Sequence, residues 1–501
     1  SGVGDIDITG ALDLDAAISN ASSVAVSLTS NIGADVTTTG TQGYSGTTTL
    51  SGGDRTLEGS TITMAAVTGT GSHDLTVTGN LDLDGAVTNV VELDITGTSN
   101  IGANVTTSGT QNYQGTTTLS GGDRTLQGST ITLAAVTGGS NALTVTGNLV
   151  LDGAISGVTN MSVSGTSNIG ADVTTTGTQS YTGTTTVSAS STLIGTEIST
   201  AAIVLNHDLE IRNSSDSTLA SVISGTGALT KSGSGVLTLR GINTFDGDLT
   251  VSAGTLYAGL AADSGNQVIE NNVTVSGGTL SGGATIGGNV TVATANLAPG
   301  NSIGTLTIDG NVTLGDNSTT TIEFNDTTSD KVVVSGNITL AGALVLEPAN
   351  TTYSDATFTI FDGSGGSGNS LSSTFASTTV SNSSYLGDAT TSISYDTVNR
   401  KVFLNIDEDG GVSSNTVKSL TTRNKFKDIA QIFDDATAGK ILEVANVLKS
   451  SDSNSVNTEL NKTKGTLLAN SSLKSVSNHQ FYQKALDNIV STNTNSSVSN
   501  F

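Results

Sequence analysis

Apolar and polar residues alternate in short bursts along most of this chain. Ile6-Asp7-Ile8, Leu81-Asp82-Leu83-Asp84 and Leu143-Thr144-Val145 each place every second side chain on one face, the period of a β-strand. Gly and Asn interrupt these runs every five to ten residues, so the strands are short and the turns frequent. Such a pattern suits a sandwich, a barrel or a parallel β-helix. An internal repeat chooses among them. SNIGADVTTTGTQ at 30–42 returns as SNIGANVTTSGTQ at 99–111 and as SNIGADVTTTGTQ at 167–179, offsets of 69 and 68 residues. A fixed long period marks a stacked architecture, in which each unit buries its apolar side only against its neighbours. The chain is therefore expected to be all-β, a right-handed parallel β-helix, with each repeat holding three coils of roughly 23 residues.

The pattern divides the chain into four segments. Residues 1–222 carry the three repeats. Over 223–339 the long period gives way to a shorter mark, Asn-Val-Thr or Asn-Ile-Thr at 272, 289, 311 and 337, spaced about one coil apart. Residues 340–408 read as a β closing region with the aromatic strands Phe358-Thr359-Ile360-Phe361 and Val402-Phe403-Leu404. After 409 the apolar period becomes 3.6, which predicts a short α-helical tail with helices near 422–437, 439–449, 455–475 and 478–491.

Composition narrows this further. Only 4% of residues are aromatic, with no Trp and no Cys, so the core must rest on Val, Ile, Leu, Thr and Ala stacked in register. The absence of Cys fits a chain exported unfolded through a bacterial envelope. The net charge is −25. It is uneven: residues 1–415 carry −28 and residues 416–501 carry +3. An acidic surface of this strength repels phosphate backbones and speaks against nucleic-acid binding. It is compatible with weak calcium binding and with attraction to the basic tail of a neighbouring chain. No cofactor is expected.

At 223–256 the chain reads ISGTGALTKSGSGVLTLRGINTFDGDLTVSAGTL. Gly225, Gly227, Leu229, Gly233, Gly235, Leu237, Leu239, Gly241, Asn243, Thr244, Phe245, Gly247 and Gly254 fall on the positions of a known pattern. The stretch resembles the passenger-associated repeat of bacterial autotransporters, the type V secretion family. LAPGNSIGTLTIDGNVTL at 297–314 is similar to the stretch that succeeds that repeat in the family. The TGTQ-x-Y-x-GTTTLS units nearer the N-terminus resemble repeats of filamentous-haemagglutinin-like adhesins. The basic tail looks like the segment joining passenger to barrel. The resemblance implies a segment that nucleates passenger folding during export and an outer-membrane β-barrel translocator as partner.

Candidate chemistry is sparse. His73, His207 and His479 lie far apart and in no metal-ligand spacing. No G-x-S-x-G elbow sits in a strand-to-helix context. Asp82 with Asp84, and Asp13 with Asp15, recur with the repeat and read as decoration of an outward face rather than as a hydrolase pair. Tyr44, Tyr113 and Tyr181 hold one repeat position, three coils apart by the expected coil length, and either form an adhesive stripe or pack over a coil corner. SGGDRT at 51–56 and 120–125 is a Gly-Gly turn with an Asp-Arg pair.

These features predict a non-enzymatic, secreted or surface-displayed β-helix passenger, a structural fibre or adhesin that meets a cell-surface receptor or glycan. Head-to-tail self-association into filaments is expected to use the basic tail, with Lys425, Phe426, Ile429, Phe433, Leu442, Phe481 and Leu486 as its contact residues. An S-layer-like lattice protein and a carbohydrate-active β-helix enzyme are the alternative readings.

Overall fold

A computed structural model describes residues 4–70, 72–259, 267–350, 352–363, 369–387 and 389–408. The chain divides into two compact units, Ser1–Gly387 with Ser392–Asn405, and Asp388–Thr391 with Ile406–Phe501. Of the second unit only 389–391 and 406–408 are described. The helices expected after 422, and all seven tail residues from Lys425 to Leu486, lie outside the described residues.

The first unit is a parallel β-solenoid, as the alternation and the repeat predict. Its logic is visible in the first turns. Strands Ile6–Ile8, Leu12–Leu14 and Ile18–Ala21 are followed by Val24–Val26, Ser30–Ile32 and Val36–Thr38. Each pairs in parallel with the strand three further on: Ile6 with Val24, Leu12 with Ser30, Ile18 with Val36. One coil is thus three short sides, and three stacks of strands run through the unit. We call them the first, second and third stacks, after the strands at Ile6, Leu12 and Ile18.

Each side puts its apolar alternates inward. Val24, Val26, Ile32 and Val36 are buried, as are Ile62, Met64, Leu81 and Leu83 in later coils. The inner ranks also take small hydroxyl residues. Ser30 lies in register with Thr48, Ser99 with Thr117 and Ser167 with Thr185, all six buried.

Coil length departs from expectation. Register in the first turns advances 18 residues per coil, from Ile6 to Val24 to Gln42, not 23. The 69-residue repeat therefore does not hold three coils. Three coils carry Ser30 to Thr48, Val67 and Val87, and two further sides remain before Ser99. The repeat spans three and two-thirds coils. Ser99 consequently falls in the first stack, against Leu81, whereas Ser30 lies in the second. Ser167, against Leu149, falls in the third. Successive copies of one sequence are rotated by a third of a turn. A six-residue side makes this possible, because any copy fits any face.

Beyond 223 the coils lengthen, with Val251 over Val275 and Leu314 reached from Val292. The Asn-Val-Thr mark does stand once per coil, on the first stack. The aromatic runs expected in the closing region lie in strands Ala356–Asp362 and Lys401–Asp407. Phe361 packs on Phe375 with ring centroids 6.0 Å apart, and Phe324 on Tyr353 at 5.3 Å.

Candidate functional site: the segment that breaks the repeat

Residues 223–258 form two coils unlike those before them. Leu229–Ser232 continues the first stack and Val236–Leu239 the second. The third stack then lapses. Where a strand would lie over Ile223–Gly225, the chain runs through Gly241, Asn243 and Phe245, with a single bridge from Asn243 to Ile269. Asn243 is fully buried, and its Oδ1 accepts the Ile223 amide at 2.9 Å while its Nδ2 donates to the Gly241 carbonyl at 2.8 Å. A side chain thus replaces one rung of the backbone ladder, and Phe245, two residues on, is 1% exposed. Thr244 between them faces solvent.

Leu229, Leu237 and Leu239 are fully buried, as their inward phase predicts. The glycines allow coils to approach. Gly233 and Gly254 adopt φ of 78° and 67°, and a Cβ on Gly254 would lie 2.6 Å from the Gly235 carbonyl oxygen. Gly225, Gly227, Gly235, Gly241 and Gly247 each press against backbone of the preceding coil.

Lys231, a position of the same motif to which the sequence alone gives no role, is the unexpected member of the segment. It stands in the inner rank between Ile211 and Val251 and is fully buried. Its three partners are all carbonyls: Ser232 at 2.6 Å and Gly233 at 2.9 Å in its own coil, Ala253 at 3.2 Å in the next. Burial pulls the ammonium down to about 8. The signal was present, because Lys231 keeps the inward phase of Leu229-Thr230-Lys231. The rule that charges face water hides it.

In the repeats, the TxGTQxY string has a matching internal role. Gln42 is buried at a corner; its Nε2 donates to the Val36 carbonyl at 3.0 Å and to the Glu58 carbonyl of the next coil at 2.7 Å. Tyr44 donates to Gln42 Oε1 at 2.9 Å. Gln111 with Tyr113 and Gln179 with Tyr181 repeat the arrangement. The three tyrosines are at most 1% exposed and burial raises each phenol strongly. They belong to three different stacks, against Val26, Ile95 and Val163. The adhesive stripe is therefore excluded; the tyrosines pack at the coil corners from the inside, as interior staples.

The remaining candidates are dispersed. Asp13 and Asp82 face outward and accept from Asn31 and Asn100 of the next coil, both at 2.7 Å. In SGGDRT the arginine donates to the backbone carbonyl of its neighbour Asp54 at 2.6 Å and not to its carboxylate. Arg55 Nε donates to the Ser51 carbonyl at 2.9 Å, bracing the Gly-Gly turn, and its ion-pair partner is Asp35 at 3.8 Å. His73 and His207 lie on separate coils, and His479 is outside the described residues. Among the described residues no group of three His, Cys, Asp or Glu side chains is placed to hold a metal.

Comparison with known proteins agrees with this geometry. The passenger-associated transport repeat family matches residues 229–258, within the segment just described. The chain is 30% identical over 271 residues to the adhesin BmaC autotransporter of Brucella suis, covering 46% of this chain and 8% of that protein. It is 46% identical over 84 residues to an extracellular serine protease of Serratia marcescens, covering 17% of this chain and 8% of that protein. The chain thus spans about 8% of the length of either relative. With its solenoid and its transport repeat, the chain is similar to autotransporter passengers, whose members are displayed on the cell surface or secreted.

Proposed function

We propose that this chain is a non-enzymatic adhesive passenger that works as a stiff, repetitive spacer and contact surface outside the cell. The observation that carries the reading is the segment at 223–258, a transport repeat set into a parallel solenoid whose other repeats are interchangeable lengths of wall. The similarity to an adhesin supports it; the similarity to a serine protease covers 84 residues only. Gly225 to Gly254, with Asn243, Thr244 and Phe245, serve as the segment that starts passenger folding after translocation through an outer-membrane β-barrel. The basic tail, including Lys425, Phe426, Ile429, Phe433, Leu442, Phe481 and Leu486, meets the acidic solenoid of a neighbouring copy and builds head-to-tail filaments. A cell-surface receptor or glycan is the target of attachment.

Attachment of the purified chain to host and sibling cells tests the adhesive role, and binding no better than a charge-matched control protein sinks it. Sedimentation at rising concentration, in low and in high salt, tests self-association. A salt-sensitive assembly lost on removal of 416–501 is expected, and a monomer throughout refutes it. The folding role predicts that Asn243→Ala with Phe245→Ala slows refolding of the whole solenoid, whereas Asn80→Ala, at an exposed corner, does not.

A further inference from the structure

The first stack changes character at the transport repeat. Before it, hydroxyl runs such as Thr118, Thr137 and Ser156 are broken by charged outward positions, among them Asp82, Glu210 and Arg212. From Thr230 onward the central outward position of every strand is a hydroxyl residue. Thr250, Thr274, Thr291, Thr313 and Thr339 stand in one in-register file, each directly over the last. Strand stacking spaces them at about 4.7–4.9 Å. The hydroxyls of Thr250, Thr274, Thr291 and Thr313 have no partner among the described residues.

A second file runs beside the first. Asn272, Asn289, Asn311 and Asn337 are exposed at the corner before each strand. Each Oδ1 accepts the amide of the next coil, from Asn289 at 3.0 Å, Asn311 at 2.8 Å, Asn337 at 2.7 Å and Ser370 at 2.8 Å. These bonds fix the side chains, and the Nδ2 groups of Asn311 and Asn337 have no partner among the described residues. The result is two parallel lines of polar groups at one spacing, the asparagine line held by its bonds. Such preorganisation lowers the ordering cost of binding.

Charge and composition select the occupant. On a chain of net charge −25, the strands carrying these files, from Val273–Val275 to Ile338–Thr339, hold no ionised side chain. The neighbouring stack keeps its acids, with Glu323 in register with Glu347. An acidic polymer is repelled by the flanks, and a basic one finds a single carboxylate, Asp248, at the start of the asparagine file, already bonded to Asn272 Nδ2 at 3.2 Å. The files also lack the aromatic anchors on which protein partners usually depend. What remains is an uncharged chain bearing hydroxyls at a regular interval.

We propose that the Thr250–Thr339 file and the asparagine file beside it form a track for a neutral, extended polysaccharide lying along the solenoid axis. This deepens the adhesive reading and rests on it. Co-sedimentation of the full chain with microcrystalline cellulose and with chitin, against polygalacturonate beads, supplies the test. Retention on at least one neutral polymer, equal in low and high salt, is expected. The triple variant Thr274→Val, Thr291→Val and Thr313→Val keeps shape and strand preference but removes three hydroxyls. It should bind about tenfold more weakly or worse, while the corresponding Thr→Ser variant retains binding.

No retention of folded wild type on either neutral polymer overturns the proposal, as does equal binding by the valine variant. Loss of self-association in the valine variant without a change in polymer retention also overturns it, because the face then belongs to a second copy. Cell attachment measured on the same preparations separates the two levels. Protein that attaches to cells and ignores both polymers refutes the track alone. Protein that binds polymers and fails to attach refutes the adhesive role instead.

Discussion

At the scale of single residues, two buried ionisable groups set opposite pH dependences. Lys231 gains three carbonyls but loses its water, and its ammonium falls from 10.5 to about 8. Between those values the unfolded chain binds more protons than the folded one, so stability rises with pH. The contribution is complete above about 10.5, is lost as pH falls to about 8, and amounts to about 3 kcal/mol. Asp330 behaves inversely. It is 3% exposed and accepts the amides of Gly304 and Glu323, both at 2.8 Å. Burial lifts its carboxyl to about 7; the two amides oppose this, and Glu323 and Glu347 add to it. Here the folded state binds more protons, so stability is greatest below about 4 and declines by about 4 kcal/mol as pH rises to 7. Coils open locally in a solenoid, so amide exchange resolves the two. Amides of 229–258 should be better protected at pH 10 than at pH 8, and Lys231→Met should abolish that difference. Amides of 304–334 should be better protected at pH 5 than at pH 7, and Asp330→Asn should flatten the slope. Protection indifferent to pH in either segment refutes the corresponding assignment.

The coil is the next scale up, and its closure depends on side chains that reach along the stack. Gln42 reaches Glu58, Lys231 reaches Ala253, and each Asn of the 272–337 file receives an amide from the coil above it. Asn311→Ala removes the acceptor of the Asn337 amide. Because that corner is exposed, water substitutes in part, and a local loss of about 1 kcal/mol is expected. It should appear as faster exchange at 336–340 with the distant coils unchanged; a uniform loss across all coils would show that corners do not act locally. Much of this was legible in the sequence. The strand phase of Leu81-Asp82-Leu83 and the once-per-coil Asn-Val-Thr mark both translate directly into position. Coil length did not, because the long period is not a whole number of coils. The clue lay elsewhere, in the six-residue spacing of Ile6, Leu12, Ile18 and Val24. Lys231 and Tyr44 were obscured for a different reason. Their inward placement depends on partners one coil away, and a polar side chain carries no mark in sequence of whether such partners exist. Asn243 was legible only as a motif position, since a side chain that replaces a strand rung has no periodicity.

Across the first unit, the fractional repeat decides what duplication achieves. A repeat of three whole coils would line up every copy on one face and multiply a single binding surface. Three and two-thirds coils distribute the copies over all three faces, so duplication lengthens the wall without concentrating any one feature. After the repeats end, coils of unequal length keep the Asn mark beside a Thr file on one stack, whereas within the repeats a Thr file such as Thr49, Thr68 and Thr88 stands without it. This geometry makes a prediction about deletion. Removing residues 30–98 joins Thr29 to Ser99, and the SNIGA that begins there is the same string that Thr29 already precedes. The shortened chain should fold and melt within a few degrees of the parent, because every junction contact is reproduced. All coils after the junction, however, should turn by one face, since Ser99 moves from the first stack into the place of Ser30 in the second. Spin labels report this. In the parent, Ala25 and Thr250 face outward on the first stack and Asp13 on the second. After the deletion Thr250 joins the face of Asp13, so the Asp13–Thr250 distance should contract more than the Ala25–Thr250 distance. Equal contraction of both pairs would mean that the repeat closes on whole coils and that the rotation is wrong. A chain that fails to fold would mean that the repeats are not interchangeable.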